Sequence, residues 1–129
     1  MRGITLALVL GVAAACGSAG TPQLPSASPI PGAVLITRAN DRGTVHARVA
    51  DTIQIALGTE YEWRVDPPDG VVLVLGVQRY LLVRGTQAVW TAASPGTATI
   101  TATGTVVCPS GQACILIALL FTTTVVVAP

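Results

Sequence analysis

Three cysteines, one histidine and six carboxylates are the groups in this 129-residue chain best suited to covalent, metal-binding or acid–base chemistry. Their spacing argues against most of it. His46 stands beside Arg48 on the polar side of an alternating segment, and no Ser or Cys motif offers a nucleophile for it to activate, so it reads as solvated. Asp66 and Asp69 flank Pro67-Pro68, and Asp41 follows Asn40. A hard cation needs six or more oxygens, and carboxylates in such places form Asx turns. Glu60 and Glu62 read as solvated side chains on one strand face rather than as a catalytic pair. There is no phosphate loop, zinc spacing or nucleotide fingerprint. The expectation is a protein that is not an enzyme and holds no metal or cofactor.

The cysteines are more informative. Met1-Arg2-Gly3 carries one early charge, Ile4 to Ala15 is an unbroken apolar or small run, and the run ends Val12-Ala13-Ala14-Ala15-Cys16-Gly17-Ser18. A basic start, a short apolar stretch and small residues before a cut site make a secretory signal. With a cysteine just after the small residues, it resembles a bacterial lipoprotein signal, in which the thiol is acylated and becomes the mature N-terminus. Residues 1–15 are then the signal peptide and Cys16 the lipid acceptor. The expected location is the outer side of the cell membrane, held there by lipid. The apolar run itself is too short to span a bilayer, which needs about 20 residues.

In an exported chain the remaining two cysteines, Cys108 and Cys114, form a disulfide by default. Between them lies Pro109-Ser110-Gly111-Gln112-Ala113, turn chemistry flanked by two apolar β-prone runs, so the pair is expected to close a hairpin. Composition sets further bounds. Hydrophobic residues make up 51% and charged residues 10% of the chain, enough for one core. Without Arg2 the basic and acidic side chains balance, and no basic patch remains to suggest nucleic acid.

Residues 16–32 contain Pro22, Pro25, Pro29 and Pro31 with Ser26 and Ser28, and read as an extended tether. Residues 33–129 read as strands. Val45, Ala47 and Val49 alternate with polar neighbours, as do Ile53, Ile55 and Leu57, then Tyr61, Trp63 and Val65, and later Ala98, Ile100 and Ala102. Tyr61 and Trp63 share a face and read as core, with the Trp packed between sheets. Val71 to Val77 is apolar on both faces and predicts a fully covered strand. Tyr80 to Val83 predicts a short strand, Gln87 to Ala92 another, and Ile115 to Val127 a long final one. Asp66-Pro67-Pro68-Asp69-Gly70 and Ser94-Pro95-Gly96 are turns. The expected fold is all-β, an antiparallel Ig-like β-sandwich after the signal segment and Pro-rich linker.

Two resemblances follow from these segments. Ser94-Pro95-Gly96-Thr97-Ala98-Thr99-Ile100-Thr101 looks like the closing half of bacterial Ig-like surface domains. The order of features from residue 44 to 127 resembles the chagasin-like inhibitors of papain-type cysteine proteases. Asp51 to Leu57 stands for the strand before their first loop, Tyr61-Glu62-Trp63 for the Tyr-x-Trp after it, and a Pro-Gly turn and a valine-rich last strand follow. The resemblance implies three contact loops: Gly58-Thr59-Glu60-Tyr61, Arg84-Gly85-Thr86-Gln87 and the disulfide loop Pro109-Ser110-Gly111-Gln112-Ala113. The family's Asn-Pro, Gly-rich and Arg-Pro-Trp motifs are absent at these positions. The expected function is a non-enzymatic, protein-binding, protease-inhibitor-like module whose partner is a papain-like cysteine protease. The alternatives are a structural lipoprotein of an envelope complex and an adhesion-type Ig-like domain without inhibitory activity.

Overall fold

A computed structural model describes residues 28–129 apart from 77–81 and 83. The signal segment, Cys16, most of the tether and much of the expected Tyr80 to Val83 strand lie outside the described residues. The described residues form eight strands: β1 (Val34–Ile36), β2 (Thr44–Arg48), β3 (Thr52–Ile55), β4 (Tyr61–Val65), β5 (Leu73–Leu75), β6 (Ala88–Ala92), β7 (Gly96–Val106) and β8 (Ala118–Ala128). A 3-10 turn at Arg38–Asn40 joins β1 to β2, with Thr37 capping it.

The strands form two four-stranded sheets, ordered β1-β3-β6-β5 and β2-β8-β7-β4. The inner faces supply the core: Ile53, Ile55, Leu73, Trp90 and Ala92 from one sheet, Val45, Ala98, Ile100, Phe121 and Val125 from the other. The all-β sandwich expected from the alternation is therefore present. Alternation is clearest in β7, where Ala98, Ile100 and Ala102 are buried between exposed or half-buried threonines.

The structure refines the expectation in three places. Two of the six ladders are parallel, β1 with β3 and β2 with β8. The sheets are mixed because β1 and β2 sit at sheet edges, on opposite sheets, and the turn between them carries the chain across. The Val71–Val77 prediction shrinks to β5. Val71 and Leu75 are exposed, because among the described residues β5 is an edge strand paired with β6 alone. The last strand starts at Ala118, three residues later than expected, and Ile115, Leu116 and Ile117 stand exposed before it.

Gln54 departs from its pattern. The alternation puts it on the polar face of β3, yet it is fully buried. The polypeptide entering the domain covers it. Ile30 N–H donates to Gln54 Oε1 (2.8 Å), and Gln54 Nε2 donates to Ser28 O (3.2 Å) and Thr86 Oγ1 (2.9 Å). The end of the tether is thus fastened to the sandwich rather than hanging free of it.

Candidate functional site

Strand register places the three candidate loops at one end. Ile55 at the end of β3 faces Ala88 at the start of β6, so residues 56–60 and 84–87 emerge together. Tyr61 at the start of β4 faces Val106 at the end of β7, and Thr105 faces Ala118. The disulfide hairpin therefore leaves the second sheet at the end where residues 56–60 cross between the sheets.

The first two loops are joined directly. Gly58 N–H donates to Gly85 O (3.2 Å). Gln87 spans the gap with both ends of its amide: Oε1 accepts from Leu57 N–H (2.6 Å), and Nε2 donates to Gly58 O (2.8 Å). Gly58 and Gly85 lie at φ +91° and +92°, a region that glycine enters without steric cost. Leu57 turns inward and is buried. The outward-facing residues are Thr59, Glu60 and Arg84, while Gly85 and Thr86 are buried. Of the second loop, Arg84 is the side chain available to a partner, and Thr86 faces Gln54.

Arg38 braces the first loop from the 3-10 turn. Its Nη1 lies 2.7 Å from Glu60 Oε2, an exposed ion pair of small energetic weight. Its guanidinium sits 5.0 Å from the Tyr61 ring centroid and 6.0 Å from that of Trp63. Tyr61 meets Trp63 edge-on at 5.9 Å, and Trp63 meets Phe121 edge-on at 6.4 Å. Trp63 packs against the core but is half-buried at its margin rather than enclosed between the sheets, and Tyr61, also read as core, is half-buried beside it. The Trp63 ring lies over Gly104, where an added Cβ would come within 2.9 Å of the indole. Arg38, Trp63, Leu119, Leu120 and Phe121 also line a pocket of about 360 Å³ beside the loops.

The Cys108–Cys114 disulfide forms, with Cα atoms 5.9 Å apart. Pro109, Ser110, Gly111 and Gln112 are all exposed at its tip.

The other candidate groups stay apart. His46 is exposed on β2, toward the opposite end. Asp69 accepts from Val72 N–H (3.1 Å) and Leu73 N–H (2.8 Å), which fixes the turn before β5. The hydrogen bond from Leu73 foremost, helped by weaker ones such as that from Val72, holds its carboxyl below the usual aspartate range against the opposing cost of burial. Asp41 accepts from Thr122 N–H (3.0 Å). No three His, Cys, Asp or Glu side chains converge among the described residues. The site can thus offer a shaped edge with backbone and amide groups, and it gathers no acid–base pair.

Sequence reasoning singled out the loops, with Gln87 at the end of the second, but not the roles of Gln87, Gln54 and Arg38 in holding them. Nothing local marks a glutamine as a bridge, since its partners lie 24 to 32 residues away.

No protein-family model matches the chain, and no curated protein matches it. Among solved structures, the fold is similar to that of the cysteine protease inhibitor EhICP2 from Entamoeba histolytica. The identity is 20% and the TM-score 0.52, over 74% of this chain and 94% of that one. The solution structure of amebosin is also similar, at 20% identity and a TM-score of 0.45, over 74% of this chain and 98% of that one. The likeness to EhICP2 bears out the chagasin-like resemblance at the level of the fold.

Proposed function

We propose that this chain is a non-enzymatic protein-binding domain, tethered by a lipid on Cys16 outside the cytoplasm, that acts as an inhibitor-like module on a papain-type cysteine protease. The observation that carries the binding role is the stitched edge of residues 57–60 and 84–87. Gln87 and the Gly58–Gly85 hydrogen bond hold two loops from different strands in one arrangement before any partner arrives. A pre-ordered edge loses less conformational freedom on association, so more of its contact energy appears as affinity. The protease class is supported by the fold shared with EhICP2 and by the Tyr61-x-Trp63 order after the first loop.

Such a module works by occupying a cleft. Thr59, Glu60 and Arg84 form the outward surface, and Arg38 ties Glu60 of the first loop to the Tyr61–Trp63 pair. Titration of the chain into papain-type proteases tests the reading. Competitive inhibition at micromolar or lower concentration, weakened by Gln87→Ala, is expected. Full protease activity at saturating chain would defeat the protease assignment.

The lipid is tested separately. Cys16→Ser should remove the acyl mass and release the protein from the membrane fraction. Unchanged membrane retention with no acyl mass in the parent chain would contradict the anchor.

A further inference from the structure

The disulfide hairpin differs chemically from the stitched edge beside it. Val106, Val107, Ile115, Leu116, Ile117 and Leu120 are all exposed there, Leu116 to 97%. No charged residue occurs anywhere after Arg84. Ile115, Leu116 and Ile117 are consecutive and precede β8. In a strand every second side chain would turn to a covered face. Here all three stand in the open, so the stretch before β8 presents three consecutive aliphatic side chains to solvent. The boundary of a lipid bilayer accepts such a stretch without a matching shape, whereas a protein groove must be complementary to it.

The path of the chain points the same way. Ala33 N–H donates to Ile30 O (3.0 Å) across a turn at Pro31–Gly32, with Gly32 at φ +76°. After that turn β1 runs parallel to β3, toward the loop end. Residues 28–30 therefore run the other way, and Ser28 lies toward the loop end, on Gln54 beside Thr86. About 12 residues separate Cys16 from Ser28, enough to span about 37 Å when extended. A lipid on Cys16 thus leaves the hairpin within reach of the same membrane.

We infer that the Cys108–Cys114 hairpin is a second membrane contact, seating Val107 and Ile115–Ile117 at the headgroup–acyl boundary of a lipid bilayer and turning the loop end toward it. The depth is shallow. Backbone groups outside a ladder cannot enter hydrocarbon unpaired, and Ser110 and Gln112 belong among headgroups. With no charge in the element, binding is indifferent to salt and to anionic lipid. The partner of the stitched edge is then a protein at the membrane surface. This inference rests on the proposed anchor at Cys16 and not on the identity of that partner.

The test uses the full chain, purified from membranes and reconstituted into phosphatidylcholine vesicles with and without brominated acyl chains. Two single variants carry reporters at exposed positions: Leu116→Trp in the hairpin and Val49→Trp in the β2–β3 turn at the opposite end. Intact mass reports the acyl chains. The expected result is a blue shift and added quenching for Leu116→Trp, unchanged by salt, with Val49→Trp behaving like the parent. An acylated, vesicle-bound chain in which both variants respond alike, or only Val49→Trp responds, overturns this inference alone. A blue shift of Leu116→Trp without vesicles, through self-association or on adding a papain-type protease, also overturns it by assigning the hairpin to a protein. A chain without acyl mass that does not float with vesicles fails together with the anchor.

Discussion

Residues 57–60 and 84–87 are held to each other by three hydrogen bonds, two of them from one glutamine side chain. The hairpin from Val107 to Ile117, at the same end of the sandwich, has two backbone hydrogen bonds of its own and a disulfide at its neck. The first region buries its apolar residue, Leu57, and shows polar ones. The second shows its aliphatic residues and has nothing charged to offer. Shape is fixed by hydrogen bonds in one case and by a covalent closure in the other. Polar specificity toward a protein needs ordered donors and acceptors, while contact with lipid needs only apolar area. Under the proposed reading, the pairing of the two at one end would give the domain an orientation as well as a binding edge.

The contrast can be broken most forcefully at Gln54. Gln54→Leu strips partners from Ile30 N–H, Ser28 O and the Thr86 hydroxyl at once, in a fully buried place. A loss of about 3 kcal/mol in urea unfolding is expected. A loss below about 1 kcal/mol would mean that the incoming chain is not fastened there. The paired substitution Cys108→Ser with Cys114→Ser comes next, at about 2 kcal/mol, by restoring freedom to the unfolded chain. Its signature is locality: amide exchange at Leu57 and Gly58 should not change, and faster exchange there would show that the two regions are one unit. Gln87→Ala should cost about 1–2 kcal/mol by orphaning Leu57 N–H, and it should weaken protein binding more than vesicle contact. Leu116→Ser should leave stability within about 0.5 kcal/mol, since the side chain touches little, while reducing vesicle contact.

The sandwich was legible in the sequence where one face meets water. β7 reads as Thr against Ala and Ile because its outer face is solvated, and β2 reads the same way. It was not legible where something else covers that face. Gln54 has the polar position of a half-buried strand, and only the segment at Ser28–Ile30 explains why it is buried. Val71 to Val77 misled in the opposite direction: an apolar run implies two covered faces, but β5 lies at an edge and leaves Leu75 in the open. Parallel pairing of β1 and β2 left no local mark, because it depends on the 3-10 turn sending the chain between sheets. The loops were found by their turn residues, and the disulfide by the parity of cysteines in a chain whose N-terminus reads as an export signal. The bridging role of Gln87 depends on contacts across 29 and 30 residues, a distance at which spacing carries no signal.

The account is tested most directly by amide hydrogen exchange on the vesicle-anchored full chain, compared with the same chain in detergent-free solution. The amides of Leu57, Gly58 and Gln87 should be protected in both conditions, at a level approaching that of the central strands. Amides from Ser110 to Leu116 should exchange rapidly in solution and slow only when vesicles are present. Equal, rapid exchange in the two regions would contradict the pre-ordered edge, and a hairpin indifferent to vesicles would contradict its assignment to the membrane.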